Sequence, residues 1–355
     1  MSSNGGKYTV TVADSVEAVP ANEWNGVVER ARLGSLLHRH EWLRAVEGGF
    51  DREPKHLLAH KDTNLVGLLP NFVAGIDGTP WKRLESTFYW HCGPLATTDE
   101  YEVLQLFVDA VPEVVDDDII SHLIRTDDPG YVQYHHFLSE AGYEPSLEDC
   151  RIVVDLTVGW EQVSSNMSSS RRRAIRKGRK QQFDVDDEDV TRETLAEFYD
   201  GYRAVIDRLD GNLLPWSFIE RLTELDDRVK LFSLTVDGTN AGSYLYLLDE
   251  ERSTVCYFLS AVPQSAFEYN ASELLHEHAM KWGIDNGYRT YDMGLTSANF
   301  EYGLFSYKMS YGGRVVPAVD WECGIAPTRW ALFKVGREAH DRSERLKRAL
   351  PVRSL

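Results

Sequence analysis

Lysine is scarce in this sequence: 11 of the 38 basic residues are lysine, and all 38 face 56 acids, for a formal charge of -18. An overall negative field repels phosphate backbones, which excludes general nucleic-acid binding except through a locally presented patch. DNA is therefore not an expected partner. Acid-rich runs at Asp116–Asp118 and Asp184–Asp189, with arginine preferred over lysine, point to a halophilic, acidic proteome, because self-repulsion keeps such chains soluble. Cysteine is equally sparse. Cys92, Cys150, Cys256 and Cys323 lie far apart with no CxxC pair, which excludes a secretory disulfide framework and reads as small buried residues in a reducing compartment. No run approaches the ~18 apolar residues of a membrane span, and MSSNGGKYTV has no signal-length apolar core. The expectation is a soluble cytoplasmic protein.

Whole classes of chemistry are missing their parts as well. The sequence contains no GxSxG, no P-loop and no GxGxxG, so acyl-serine, nucleotide-hydrolysing and Rossmann readings fall away. His38/His40 and His276/His278 are spaced i,i+2 rather than the i,i+4 of a helical zinc site, so no metal is expected. Cys92 beside His91 reads as a core cysteine, not a nucleophile pair.

What is present in excess is positive charge at one place. Arg171, Arg172, Arg173, Arg176, Lys177, Arg179 and Lys180 put seven cations into ten residues, leaving the rest of the chain at -25 (-18 less 7). Serines ahead of good helix formers predict a helix over Ser168–Lys180. Cations there oppose the macrodipole and repel one another at i,i+3 and i,i+4. The helix must therefore be paired with anions, either the protein's own acids or a phosphorylated ligand.

At 355 residues two domains are expected, with the boundary at Gly159-Trp160 and a C-terminal helical tail over 326–355. In the first half, Tyr8–Val12, Lys55–His60, Asn64–Phe72, Trp81–Tyr89, Asp118–Ile124 and Cys150–Leu156 read as strands. Ser15–Arg32, Glu41–Val46 and Glu100–Val111 read as helices. In the second half, Asp184–Thr191 reads as an acidic connector, and Leu195–Leu209 and Leu213–Glu224 as helices, the latter with Pro215 in its first turn. Strands follow at Val229–Val236, Ala241–Leu248 and Thr254–Ala261. A helix over Asn270–Asn286, capped by Asn270 or Ser272, precedes a strand over Tyr288–Leu295.

Strand, strand, strand, helix, returning strand is the order of the GNAT acyltransferase core, and three motifs sharpen the likeness. They are Trp160 followed by RRRAIRKGRK to Lys180, YRTYDMGLTS (Tyr288–Ser297) and GLFSYKMSYGG (Gly303–Gly313), with HEWLRAV, VGLLP and FYWHCGPL in the first half. The chain resembles the FemAB-like branch of the GNAT superfamily, whose best-known members are aminoacyl-tRNA-dependent peptidoglycan-bridge transferases. FEYNAS stands where an acetyl-CoA enzyme has a Gly-rich loop, and no coiled-coil arm is present.

The resemblance implies an α/β fold of tandem GNAT-like domains, each a mixed, largely antiparallel sheet flanked by helices. It implies N-acyl transfer by direct attack of an amine, without a covalent enzyme intermediate, on a small or carrier-linked acceptor that is phosphorylated or sugar-linked. Acyl-CoA or aminoacyl-tRNA would be the co-substrate, with no cofactor held tightly. In its terms Lys308 holds a carrier phosphate or stabilises the oxyanion, the alternative being an exposed strand lysine. Asp292 orients or deprotonates the amine, Tyr307 and Tyr311 line the groove, and Arg172, Arg173, Arg176 and Lys177 grip phosphates. Trp90 and His91 face the acceptor. The alternative function is a non-catalytic GNAT-like module that binds a nucleotide sugar or tRNA through the basic helix.

Overall fold

The computed structural model describes residues 6–86 and 92–349. Among them, two sheets form. A four-stranded sheet orders Tyr8–Ala13, His56–Lys61, Asn64–Leu69 and Leu95–Ala96, all antiparallel. The larger sheet runs Phe183–Glu188, Val229–Val236, Thr239–Asp249, Thr254–Ser260, Thr290–Ser297, Glu144–Asp155, Arg314–Gly324, Ile119–Thr126, Lys82–Glu85, Phe72–Gly75, Glu53–Pro54. Within it only two neighbours are parallel, Thr254–Ser260 with Thr290–Ser297 and Lys82–Glu85 with Ile119–Thr126. The architecture is the mixed, mostly antiparallel α/β arrangement that the strand and helix order implies.

The two halves are not separate bodies strung on a linker. Arg314–Gly324, the last strand in the chain, inserts between Glu144–Asp155 and Ile119–Thr126, so the sheet is continuous across residues 159 and 160. Its register requires that strand to reach back almost 200 residues. One apolar core also spans both halves: Trp42 of helix His40–Gly49 packs edge-on against Phe218 at 5.6 Å and Phe258 at 6.1 Å. Removing such rings from water is the dominant favourable term in holding the halves in one orientation.

Several local expectations give way here. Asp184–Thr191 is not a connector: Phe183–Glu188 is an edge strand, paired antiparallel with Val229–Val236. Phe183 and Val185 alternate onto the apolar side while Asp184 and Asp186 point to solvent, and Lys230 pairs with Asp187 at 3.0 Å. Period-2 alternation outweighs acid content, and charge on an edge strand blocks further pairing. Leu213–Glu224 is not one helix, because Pro215 caps a single turn, Trp216–Ile219, that tightens into 3-10 geometry over Glu220–Arg228. Asn270 precedes helix Ala271–Asp285 with a left-handed backbone (φ 58°), and its side chain makes no capping hydrogen bond. The Trp81–Tyr89 strand is Lys82–Glu85, and the rest of that stretch, with Trp90 and His91, lies outside the described residues. Among the described residues no helix is long and apolar enough to cross a membrane.

Candidate active site

Strand Thr254–Ser260, helix Ala271–Asp285 and strand Thr290–Ser297 form a crossover unit. The two parallel strands pair only from Thr254 to Cys256 against Thr290 to Asp292 and then part. On its other side the returning strand shifts register against Glu144–Asp155 between Asp292 and Leu295. Gly294 sits inside that irregularity with φ +75°, a conformation that side chains with a Cβ rarely adopt. A Cβ there would lie 3.2 Å from the Tyr257 carbonyl and 3.6 Å from the Lys308 amine. The opening of the sheet, the glycine and the lysine thus meet at one point.

Lys308 reaches that point from a short helix, Gly303–Met309, not from a strand. The aromatic segment folds back over the strand ends, and Nζ donates a 2.7 Å hydrogen bond to the Leu295 carbonyl. Lys308 is 5% exposed, which corrects the reading of an exposed strand lysine. Burial pulls its pKa down to about 8, with Asp292 and Cys150 opposing the fall. An ammonium has three N–H donors, and the Leu295 carbonyl takes one.

Asp292, 1% exposed, is a fixed carboxylate. One oxygen accepts from Arg151 Nη1 at 2.5 Å and the other from the Gly294 amide at 2.8 Å. Arg151 is itself held by the Asp127 carbonyl at 2.7 Å, and Arg252 completes the group by donating to Asp127 Oδ1 at 3.1 Å. A carboxylate locked to a buried guanidinium is held in one position.

On the helix side the site is walled by rings around His276. The ring centroids of Tyr244, Tyr257 and Tyr311 each lie 4.9 Å from it, and its Nδ1 is 2.6 Å from the Tyr291 hydroxyl. Burial, together with Arg171 and Lys308, pushes the His276 pKa well below its usual value, so the ring is neutral. The Tyr307 and Tyr311 hydroxyls are 3.1 Å apart. Burial raises both their pKa values well above the ordinary phenol range.

The basic helix, Ser169–Gly178, seals this wall. Ser168 caps it by accepting from the Arg171 amide at 3.2 Å, and the Ser168 amide donates to the Ser310 carbonyl at 2.9 Å. Arg171 pairs with Glu273 and lies 4.3 Å and 4.6 Å from the ring centroids of Tyr307 and Tyr311. Arg179 pairs with Glu277, its Nε donating at 2.9 Å. Gly178 lets the helix approach Leu274 of Ala271–Asp285 closely. Two of the seven cations are thus neutralised by the protein's own acids. Of the four expected to grip phosphate, Arg172 donates to the Ser165 and Met167 carbonyls at 2.7 and 2.6 Å, while Arg173, Arg176 and Lys177 are exposed.

Lys308, Asp292, Tyr307 and Tyr311 are therefore brought together, whereas the basic side chains divide between structure and surface. Sequence reasoning missed Arg151, His276 and the Arg171–Glu273 pair. Only Arg151 carried a signal, as a lone cation in the apolar run CRIVV. Among the described residues no group of three or more metal-binding side chains could hold a metal ion.

Residues 165–309 match the family model described as an acetyltransferase (GNAT) domain. No curated protein matches the sequence. Solved structures share the fold at low identity. FemX is 13% identical with a TM-score of 0.71, covering 88% of this chain and 98% of that one. The C-terminal domain of a putative lysylphosphatidylglycerol synthetase from Agrobacterium fabrum is 13% identical with a TM-score of 0.56, covering 89% and 95%. A tandem GNAT protein from the clavulanic acid biosynthesis pathway is 11% identical with a TM-score of 0.55, covering 90% and 99%.

Proposed function

We propose that the chain is an N-acyltransferase centred on Lys308, a reading supported by the match of residues 165–309 to the GNAT acetyltransferase domain model and by the fold shared with FemX and a tandem GNAT protein. The observation that carries this reading is a buried lysine, hydrogen-bonded to Leu295, where the two parallel strands part. An acyl donor lying in that opening brings its carbonyl carbon to the amine of an acceptor. The C–N bond forms, the C–S bond of a thioester or the C–O bond of an ester breaks, and the amine proton leaves with the departing sulfur or oxygen. No covalent enzyme intermediate is involved. The Lys308 ammonium meets the oxyanion that develops on the carbonyl, a donor already in place in a water-poor site.

Asp292 acts as a positioning residue. Its fixed charge stabilises the Lys308 ammonium, which is the form needed for that interaction. Tyr307 and Tyr311 line the groove. The exposed Arg173, Arg176 and Lys177 support contact with phosphate on the acyl carrier or on a phosphorylated or sugar-linked acceptor. Acyl-CoA and aminoacyl-tRNA are the two donor classes in view, each a co-substrate and neither tightly bound. Those same exposed cations favour a second reading, a non-catalytic module holding a nucleotide sugar or tRNA.

Transfer from acyl-CoAs of increasing length and from aminoacyl-tRNA to a panel of amines tests the proposal, with wild type beside Lys308→Met in high salt. Turnover with one donor class, lost in the variant without a fall in melting temperature, is the expected result. Full activity in Lys308→Met would overturn the assignment of Lys308. Binding without turnover would favour the module.

A further inference from the structure

We propose that the first half carries a second ligand site, for a primary ammonium compound with an apolar chain, between helices Glu100–Val114 and His135–Glu140. A cavity of about 480 Å³ opens there, within the ~300–1,000 Å³ range of small-molecule sites. Its lining shares no residue with the site around Lys308, and the proposal does not depend on acyl transfer.

Charge on the lining has one sign. Asp109 and Glu140 stand on the two facing helices, and among the described residues the lining includes no lysine or arginine. Gln105 Nε2 donates to Asp109 Oδ1 at 2.8 Å, which orients the carboxylate and leaves its second oxygen without that partner. Tyr101 and Phe137 bridge the helices edge to face at 5.5 Å. Aromatic faces beside carboxylates suit an ammonium group, and Val108 and Val111 supply an apolar surface for its chain.

The floor offers acceptors, and a chain of hydrogen bonds makes it so. Asn71 Nδ2 donates to the Leu69 carbonyl at 3.1 Å, which turns Asn71 Oδ1 towards His122 Nε2, also at 3.1 Å. An amide oxygen only accepts, so His122 carries its proton on Nε2. Its Nδ1 must then accept, and the Tyr143 hydroxyl donates to it at 2.5 Å. Burial lowers the His122 pKa to about 3, so the ring stays neutral and this polarity does not reverse near neutral pH. Behind it the Asn71 amide donates to His56 Nδ1 at 3.1 Å, and His56 Nε2 donates to Glu47 at 2.8 Å. Tyr143 lines the cavity and is 4% exposed, and its only proton is committed to His122. What its oxygen has left is lone-pair capacity, which is matched by a donor and not by an anion.

Titration calorimetry on the full chain at pH 7 with hexylammonium chloride tests this, with 1-hexanol and sodium hexanoate as matched probes. One-to-one binding of hexylammonium is expected, with hexanol at least about tenfold weaker and hexanoate silent. Asp109→Asn with Glu140→Gln, both surface changes, should weaken hexylammonium about tenfold or more and leave the melting temperature within a degree. Tyr143→Phe should weaken it as well. Because Tyr143→Phe strips His122 Nδ1 of its donor and can unfold the region, the carboxylate pair decides the question. Equal affinity for alcohol and ammonium, or binding unchanged in the Asp109/Glu140 variant, overturns the proposal. Many weak sites insensitive to that variant overturn it equally.

Discussion

Lys308→Met should stabilise the protein at neutral pH, by an amount that disappears in alkali. The wild-type ammonium sits in a site that lowers its pKa from 10.5 to about 8. Such a drop means the folded state disfavours the charged form by about 3 kcal/mol relative to the unfolded chain. Methionine is close to lysine in length and carries no charge to desolvate. Against the gain stands the hydrogen bond to Leu295, whose loss leaves a carbonyl unpaired at a cost of about 1 kcal/mol. Asp292 keeps Arg151 and the Gly294 amide, so it is not stranded. The net expectation at pH 7 is about 2 kcal/mol in favour of the variant. The direction with pH follows from proton counting. Between pH 8 and 10.5 the unfolded chain binds more protons than the folded one, so wild-type stability rises through that window while the variant gains nothing from this group. Urea unfolding of both proteins at pH 7, 8, 9 and 10, followed by tryptophan fluorescence, measures the difference. Other titrating groups cancel between the two chains. A difference that stays flat from pH 7 to 10, or a variant less stable at pH 7, would refute the claim that Lys308 is a desolvated cation.

Three further outcomes follow from the same geometry. Arg171→Met should destabilise by roughly 2–4 kcal/mol in urea unfolding, because Glu273 would be left part-buried without its partner, and adding Glu273→Gln should recover a large share. Gly294→Ala should lose about 1–2 kcal/mol through its positive φ, with transfer activity falling more than stability as the methyl presses on Tyr257 and Lys308. Arg173→Ala with Arg176→Ala should leave the melting temperature unchanged, while flattening the salt dependence of binding to any phosphorylated ligand, read by titration at several salt concentrations.

The chain's local patterns determined a large part of this protein. Helices Arg192–Leu209 and Ala271–Asp285 and the strands from Val229 to Ser260 stand where their apolar periods put them, since such a period reports which face an element buries. The Ser168 cap and the charge of the following helix were equally legible, as was the crossover order whose returning strand carries Asp292. Tertiary structure decided the rest. Which anion Arg171 takes is settled by Glu273, 102 residues away, and which cation holds Asp292 by Arg151, 141 residues away. Phe183–Glu188 became a strand because an open sheet edge was there to receive it. The strand Arg314–Gly324 lies between two strands of the first half, a neighbour choice no local pattern encodes. Lys308 is poised near pH 8 for the same reason: desolvation is the sum of everything packed around a charge, and a residue's sequence neighbours supply only a fraction of that shell.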